Sequence, residues 1–221
     1  GPVGAISVVG FEGSSSSVDR LSQQPSSFHA PAYSPDGSLI AAAVQGPEGQ
    51  KRLALFPPAG VPAQTIAELQ GFAAFGWSPN GRHIAYIDGS KGPIGGLRGQ
   101  LHVVTPEPIP STVSMQSGST RIPAGDGVIA FFWSRDGSKL AFFRPVRSTS
   151  GQQQRIILTL FVYDIEAREV KRIGTFPASR TFAYQVLGNF DQYQRSTTIW
   201  SPDGSSLVLS GMENRQTPAI Y

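Results

Sequence analysis

The chain has 221 residues, with 18 basic against 15 acidic side chains for a formal net charge of +3, and 39 % hydrophobic against 15 % charged residues. This composition suits a packed core and excludes wholesale disorder, and so small a positive balance falls well short of a nucleic-acid-binding signature. The lack of cysteine excludes disulfides, thiolate metal sites and cysteine nucleophiles. No apolar run approaches the roughly 20 residues that a membrane-spanning helix needs.

Gly1-Pro2 reads as the scar of a cleaved tag, and the chain as a piece of something longer. The apolar stretches "AISVVGF" (5–11) and "SVDRLSQ" (17–23) read as two strands, with the polar "GSSSS" (13–17) as a loop. Next comes "AYSPDGSLIAAA" (32–43), a phrase that returns as "GWSPNGRHIAYI" (76–87), "FWSRDGSKLAFF" (132–143) and "IWSPDGSSLVLS" (199–210). Each copy has an aromatic before its serine (Tyr33, Trp77, Trp133, Trp200) and a glycine three residues after it (Gly37, Gly81, Gly137, Gly204). This is the pattern of a β-hairpin. Proline pre-sets the first turn residue, Asp or Asn bonds its own backbone, and glycine takes the left-handed conformation. Arg135 stands in place of the proline in the third copy. The apolar run that follows predicts a strand with at least one buried face.

Further strands follow each hairpin. "RLALF" (52–56), "QLHVV" (100–104) and "ILTLFVYDI" (157–165) are third strands; "AQTIAEL" (63–69), "TVSMQ" (112–116) and "EVKRIGTF" (169–176) are fourth strands. After the last hairpin, "PAIY" (218–221) reads as a third strand. A four-stranded unit recurring in this way is a propeller blade.

The aromatic-Ser-Pro-Asp-Gly-x-x-apolar-Ala phrase resembles the WD40-like PD40 repeat of TolB-type propellers, and "FDQYQRSTTIWSPDG" (190–204) resembles a stretch of bacterial TolB-like proteins. The resemblance implies an all-β fold, a β-propeller of four-stranded antiparallel blades with four recognisable repeats. Residues 1–221 would then form one propeller domain or a fragment of one. The two ends either share one blade, closing a four-bladed ring, or belong to a larger parent propeller, which is the favoured expectation. The resemblance also implies a bacterial, extracytoplasmic setting in the periplasm or at the cell surface. It allows two roles: a non-enzymatic interaction or scaffold module, or the gating propeller of a prolyl-oligopeptidase-type hydrolase. A third possibility is carbohydrate or small-ligand binding at the axis.

Within a blade, the long segments 88–99 and 144–155 join the second strand to the third. Segments 117–127 and 177–197 join the fourth strand to the next blade. All four are expected on the face opposite the Ser-Pro-Asp-Gly turns. They hold eight cations against Asp88, Asp126 and Asp191. The expected partner-binding set is Arg98, Arg144, Arg147, Arg155, Arg180 and Arg195, engaging an acidic protein partner or an anionic polymer through guanidinium forks. Phe182, Val186, Phe190 and Tyr193 are spaced as one face of a short helix, making Phe182, Tyr184, Phe190 and Tyr193 a candidate apolar anchor. The Gly-x-Ser-x-Gly elbow is missing. "GPIGGLRG" lacks the Lys-Ser/Thr of a phosphate loop, and His29, His83 and His102 lack metal-ligand spacing. Neither catalytic residue, metal nor cofactor is expected, and nucleic acid is a poor fit because no aromatics interleave the basic loops.

Overall fold

The computed structural model describes residues 4–12, 15–21, 26–57, 61–92, 96–106, 118–146, 156–193, 198–213 and 217–220. The chain divides into two compact units, Gly1–Gly71 with Val104–Ser119, and Phe72–Val103 with Thr120–Tyr221.

The first unit opens with a hairpin, β1 (Ser7–Glu12) paired antiparallel with β2 (Ser15–Arg20). Four strands follow, β3 (Ser27–Tyr33), β4 (Ile40–Gln45), β5 (Lys51–Phe56) and β6 (Gln64–Leu69), in one antiparallel sheet whose spatial order is the chain order. Pro31 is tolerated in β3 because the ladder breaks between His29 and Ala32, with Ala30 at φ 50°. On one face of this sheet Ile40, Ala42, Val44, Ala54 and Phe56 pack with Ile6, and Val8 and Leu21 lie against them.

The second unit holds two complete four-stranded sheets. One consists of β7 (Phe72–Trp77), β8 (Ile84–Lys91), β9 (Leu97–Val104) and β10 (Thr120–Arg121). The other consists of β11 (Ala130–Trp133), β12 (Lys139–Val146), β13 (Ile157–Asp164) and β14 (Glu169–Pro177). In the fourth copy Trp200 bridges Leu207, and β15 (Ser210–Glu213) pairs with β16 (Thr217–Ile220). The second strands are buried on both faces: Ala141, Phe142 and Phe143 are wholly inaccessible, as are Ile84, Ala85 and Ile87. Both-face burial explains why these strands read as near-continuous apolar runs instead of strict alternation.

One expected strand is corrected. The fourth strand of the second repeat is β10, within the segment expected to be a loop. Thr120 and Arg121 pair with Val103 and His102, and further on Val128 bridges Gly99. Two exposed residues carry no periodic signal, so pattern reading passed over them. The stretch 112–116, read as that strand, lies outside the described residues.

The four Ser-Pro-Asp-Gly turns are closed in the same way, and serine is the residue whose role turn propensity leaves unexplained. Its backbone N–H reaches the carbonyl five residues on, at 2.8–2.9 Å in the four copies, while the glycine N–H returns to the serine carbonyl. The serine Oγ donates to the turn carboxylate: Ser34 to Asp36 at 2.6 Å, Ser134 to Asp136 at 2.6 Å and Ser201 to Asp203 at 2.5 Å, with Asn80 accepting from Ser78 at 2.7 Å. The same Oγ accepts the N–H of Leu39, His83, Lys139 or Ser206. The glycines sit at φ 68–74°, where a Cβ is penalised.

These donors hold the turn carboxylates low. The hydroxyl of Ser134, then the N–H and hydroxyl of Ser138, bring Asp136 to about 2 from an ordinary 3.8; Ser201 and Ser205 do the same for Asp203, also about 2. A depressed carboxylate contributes stability above its unfolded value and loses it as pH falls through the folded value. The turns are therefore expected to weaken between about pH 4 and pH 2. Ser134→Ala should lower stability at neutral pH by about 1 kcal/mol, because the half-buried Lys139 N–H loses an acceptor. It should also flatten the acid limb of a plot of melting temperature against pH; an unchanged acid limb would refute the serine–carboxylate link.

Candidate functional site

The segment between β14 and Trp200 is the main elaboration on the sheets. Ala178 N–H donates to Ile156 O and the Ser179 N–H to Ser210 O, while the Ser179 and Ser210 hydroxyls pair at 2.9 Å. Ser179 Oγ then accepts the Phe182 N–H at 3.1 Å, capping the helical stretch that begins there. This stretch is a π-turn over Thr181–Val186, a 3-10 turn over Leu187–Asn189 and a short helix α1 (Phe190–Tyr193).

The wide π-turn changes which residues face inward. Phe182, Ala183, Leu187 and Phe190 are buried, and Val186 is only half-buried. A spacing of five from Phe182 to Leu187 fits i→i+5 winding, so a 3.6-residue period selected Val186 where Leu187 belongs. Asn189 Nδ2 donates to the Tyr184 and Gln185 carbonyls left open by the irregular winding. Phe182 packs edge-on to Phe143 with centroids 5.7 Å apart, and Phe190 edge-on to Phe131 at 5.2 Å. Helix α1 lies against β7 and β11, the first strands of their sheets.

Phe182 and Phe190 are thus committed to the chain's own core and anchor the segment to it. Tyr184 is 45 % exposed and Arg180 is exposed. Tyr193 belongs to α1, and its side chain lies outside what the structure describes. The β8–β9 connection comes up to this segment. A Cβ on Gly96 would stand 2.7 Å from the Gly188 carbonyl, so glycine at 96 serves close backbone approach.

The basic residues divide. Arg147, Arg155 and Arg195 lie outside the described residues. Arg98 sits in β9, exposed, with its guanidinium beside Gly127. Arg144 sits in β12 and is engaged within the fold. Its Nη1 donates to the Ala124 carbonyl at 3.0 Å, and its Cζ lies 5.5 Å from the centre of the Phe161 ring, which stacks on Phe142. Arg121 Nε is bonded to Gln100 Oε1 at 2.7 Å, and Gln100 donates to Leu101 O and Ile122 O. Arg144→Ala should therefore cost about 1 kcal/mol, from a hydrogen bond and a cation–π contact at a half-exposed site. A melting temperature equal to that of the parent chain would show that the Arg144 contacts contribute nothing.

Two of the three histidines, His102 and His83, are packing elements, and His29 is exposed. His102 stacks on Tyr86 with centroids 4.8 Å apart, and His83 on Trp133 at 6.4 Å. Burial, with Arg82 adding to it, lowers His83; burial also lowers His102, against the pull of Asp88. A lowered histidine favours its neutral form, so stability falls as pH drops below the ordinary 6.5. Among the described residues no group of three or more His, Asp or Glu is placed to hold a metal ion, and no helix is long and apolar enough to cross a membrane.

Four-stranded antiparallel blades repeated along the chain, each opened by the same capped turn, define the class: this is an all-β protein of the β-propeller fold. Solved β-propellers are similar to it. Over 94 % of this chain and 56 % of the other, it superposes on the β-propeller domain of the trilobed protease from Pyrococcus furiosus, with a TM-score of 0.56 at 12 % identity. The acylaminoacyl peptidase of Pyrococcus horikoshii matches 80 % of this chain and 31 % of the peptidase, with a TM-score of 0.50 at 12 % identity. Oligogalacturonate lyase from Vibrio parahaemolyticus matches 79 % of this chain and 47 % of the lyase, with a TM-score of 0.51 at 14 % identity. At these identities the likeness is one of fold. By sequence, 89 residues are 30 % identical to a subunit of eukaryotic translation initiation factor 3 from Xenopus laevis, covering 40 % of this chain and 10 % of that protein. No protein-family model matches the chain.

Proposed function

We propose that the chain is a non-enzymatic propeller of the TolB-like type that serves as a protein-interaction module. Its contact surface is the strand end opposite the Ser-Pro-Asp-Gly turns. One observation carries this reading: the 178–193 segment is fastened through Phe182, Leu187 and Phe190 while Tyr184 and Arg180 face outward. An aromatic and a guanidinium held on an anchored element are the side chains that dominate binding energy at interfaces. Arg98 adds positive charge from the β9 side, and an acidic partner fits both cations. The extracytoplasmic setting is part of this proposal.

The test is capture of partners from envelope and soluble fractions by the parent chain and by an Arg180→Glu/Tyr184→Ala variant, at low and high salt. A partner held by the parent, released by salt and lost with the variant supports the reading. A partner retained equally by both proteins removes this surface from it. Both side chains are exposed, so the variant should melt within about 0.5 kcal/mol of the parent.

A second reading is favoured by the likeness to peptidase propellers: a propeller that controls access to a hydrolase domain carried on the same polypeptide. A Gly-x-Ser-x-Gly elbow in the reading frame beyond Tyr221 would support it. A frame holding only further blades would reject it.

A further inference from the structure

We propose that Asn80-Gly81 is a latent deamidation site, guarded by the hairpin turn of the third repeat, and that its conversion to aspartate unties the second and third hairpins. Both turns lie in the second compact unit. Asn80 is an amide where the other three copies of the turn hold Asp36, Asp136 and Asp203. The turn itself does not need an amide. Those carboxylates accept the serine hydroxyl and the N–H two residues on. Asn80 Oδ1 accepts the same two groups, from Ser78 Oγ at 2.7 Å and the Arg82 N–H at 3.1 Å. What the amide adds is a donor. Asn80 Nδ2 donates to the Asp136 carbonyl at 2.9 Å, which an ionised carboxylate cannot do. The third turn leaves room for it, since a Cβ on Gly137 would stand 2.6 Å from Asn80 Nδ2.

The same residue is open to chemical attack. Asn80 faces solvent, and the glycine after it puts no side chain in the way of its own nitrogen. In deamidation the Gly81 nitrogen gives its proton to hydroxide and attacks Asn80 Cγ. The N–Cγ bond forms, the Cγ–Nδ2 bond breaks, and Nδ2 leaves as ammonia with a proton from water. A water molecule then opens the cyclic imide at either carbonyl, leaving aspartate or isoaspartate, and nothing is oxidised or reduced.

In the fold each reacting group is engaged. The Gly81 N–H donates to the Ser78 carbonyl at 2.9 Å, Oδ1 holds its two donors, and Nδ2 is tied to Asp136. The first three contacts belong to the turn itself, and the last is supplied by a neighbouring repeat. Once the amide is lost, a carboxylate faces the Asp136 carbonyl oxygen, two acceptors with no proton between them.

The test is incubation of the folded chain at alkaline pH, with aspartate and isoaspartate at residue 80 counted by peptide mass spectrometry. Gly137→Ala crowds the Asn80 amide and should raise its rate of loss several-fold. Gly204→Ala is the control, bearing the same left-handed strain (φ 68° against 72°) with nothing within 4 Å of the added Cβ. It should leave the rate at Asn80 equal to the parent's. The parent in urea, where no turn survives, should lose the amide several-fold faster than the folded parent. Asn80→Asp installs the product directly. It should fold and melt about 2–4 °C below the parent, the shift expected for one hydrogen bond in a chain of this size. A Gly137→Ala rate equal to the parent's or matched by Gly204→Ala, or no acceleration in urea, would overturn the guard. An Asn80→Asp variant that melts with the parent would overturn the untying.

Discussion

Phe143→Ala is expected to be among the most damaging single truncations, lowering stability by about 3–5 kcal/mol. The side chain is wholly buried on β12 and meets three rings: Phe132 at 6.2 Å, Phe176 at 6.4 Å and Phe182 at 5.7 Å, all edge-on. It thus joins the first and last strands of its own sheet to the π-turn laid over them. Removal leaves a cavity bounded by rigid rings that cannot collapse into it, which places the cost at the high end. For a domain of this size the melting temperature should fall by roughly 6–20 °C. The loss should also free the 178–193 segment selectively, so amide exchange at Ala183 and Leu187 should accelerate more than in β13. Uniform acceleration throughout the second unit would show that Phe143 supports the sheet alone.

Trp133 carries the second large effect, and two substitutions divide it. Trp133→Ala removes a 7 % exposed indole that lies over His83 and donates to the Gly76 carbonyl. It should cost about 3–5 kcal/mol. Trp133→Phe keeps a six-membered ring but deletes the N–H donor together with part of the indole's buried bulk; about 1 kcal/mol is expected from the hydrogen bond, with a further loss for the space left. A Phe variant as damaged as the Ala variant would assign the effect to the N–H and the five-membered edge of the indole, and a neutral Phe variant would assign it to the packing of the ring that remains. Asn80 makes a parallel link at the turns, its Nδ2 donating at 2.9 Å to the Asp136 carbonyl. Neighbouring blades are therefore tied at the first strand and again at the hairpin.

Four copies of one phrase made most of the architecture legible. Proline, Asp or Asn, and glycine each have a conformational role at fixed turn positions, so their recurrence locates hairpins before any fold is known. The serine is present in all four copies, yet its role is not legible there. Its work is done by a hydroxyl that serves two partners, Asp136 and the Lys139 N–H in the third copy, and turn propensities do not encode such a relay. The aromatic ahead of it stands out in the pattern, but that Trp133 and Trp200 bind the preceding repeat is a fact of blade stacking.

The site was less legible than the fold. Charge counting placed Arg144 among surface cations, yet extending β12 to Val146 puts it on a sheet, over Phe161 and against Ala124 O. Helical periodicity found the 182–193 segment and missed Leu187, because a π-turn advances five residues where the count assumed fewer than four. The two-residue β10 had no pattern to find.

The sequence by itself determined the repeated hairpins, the blades' strand content and the absence of cysteine chemistry, because these rest on local backbone preference and on composition. Only the tertiary structure decided which arginines remain available and which face of the insertion turns inward. Those outcomes depend on contacts between segments far apart in the chain, such as Phe143 with Phe182 and Trp200 with Phe132, and no local preference encodes a partner at that distance.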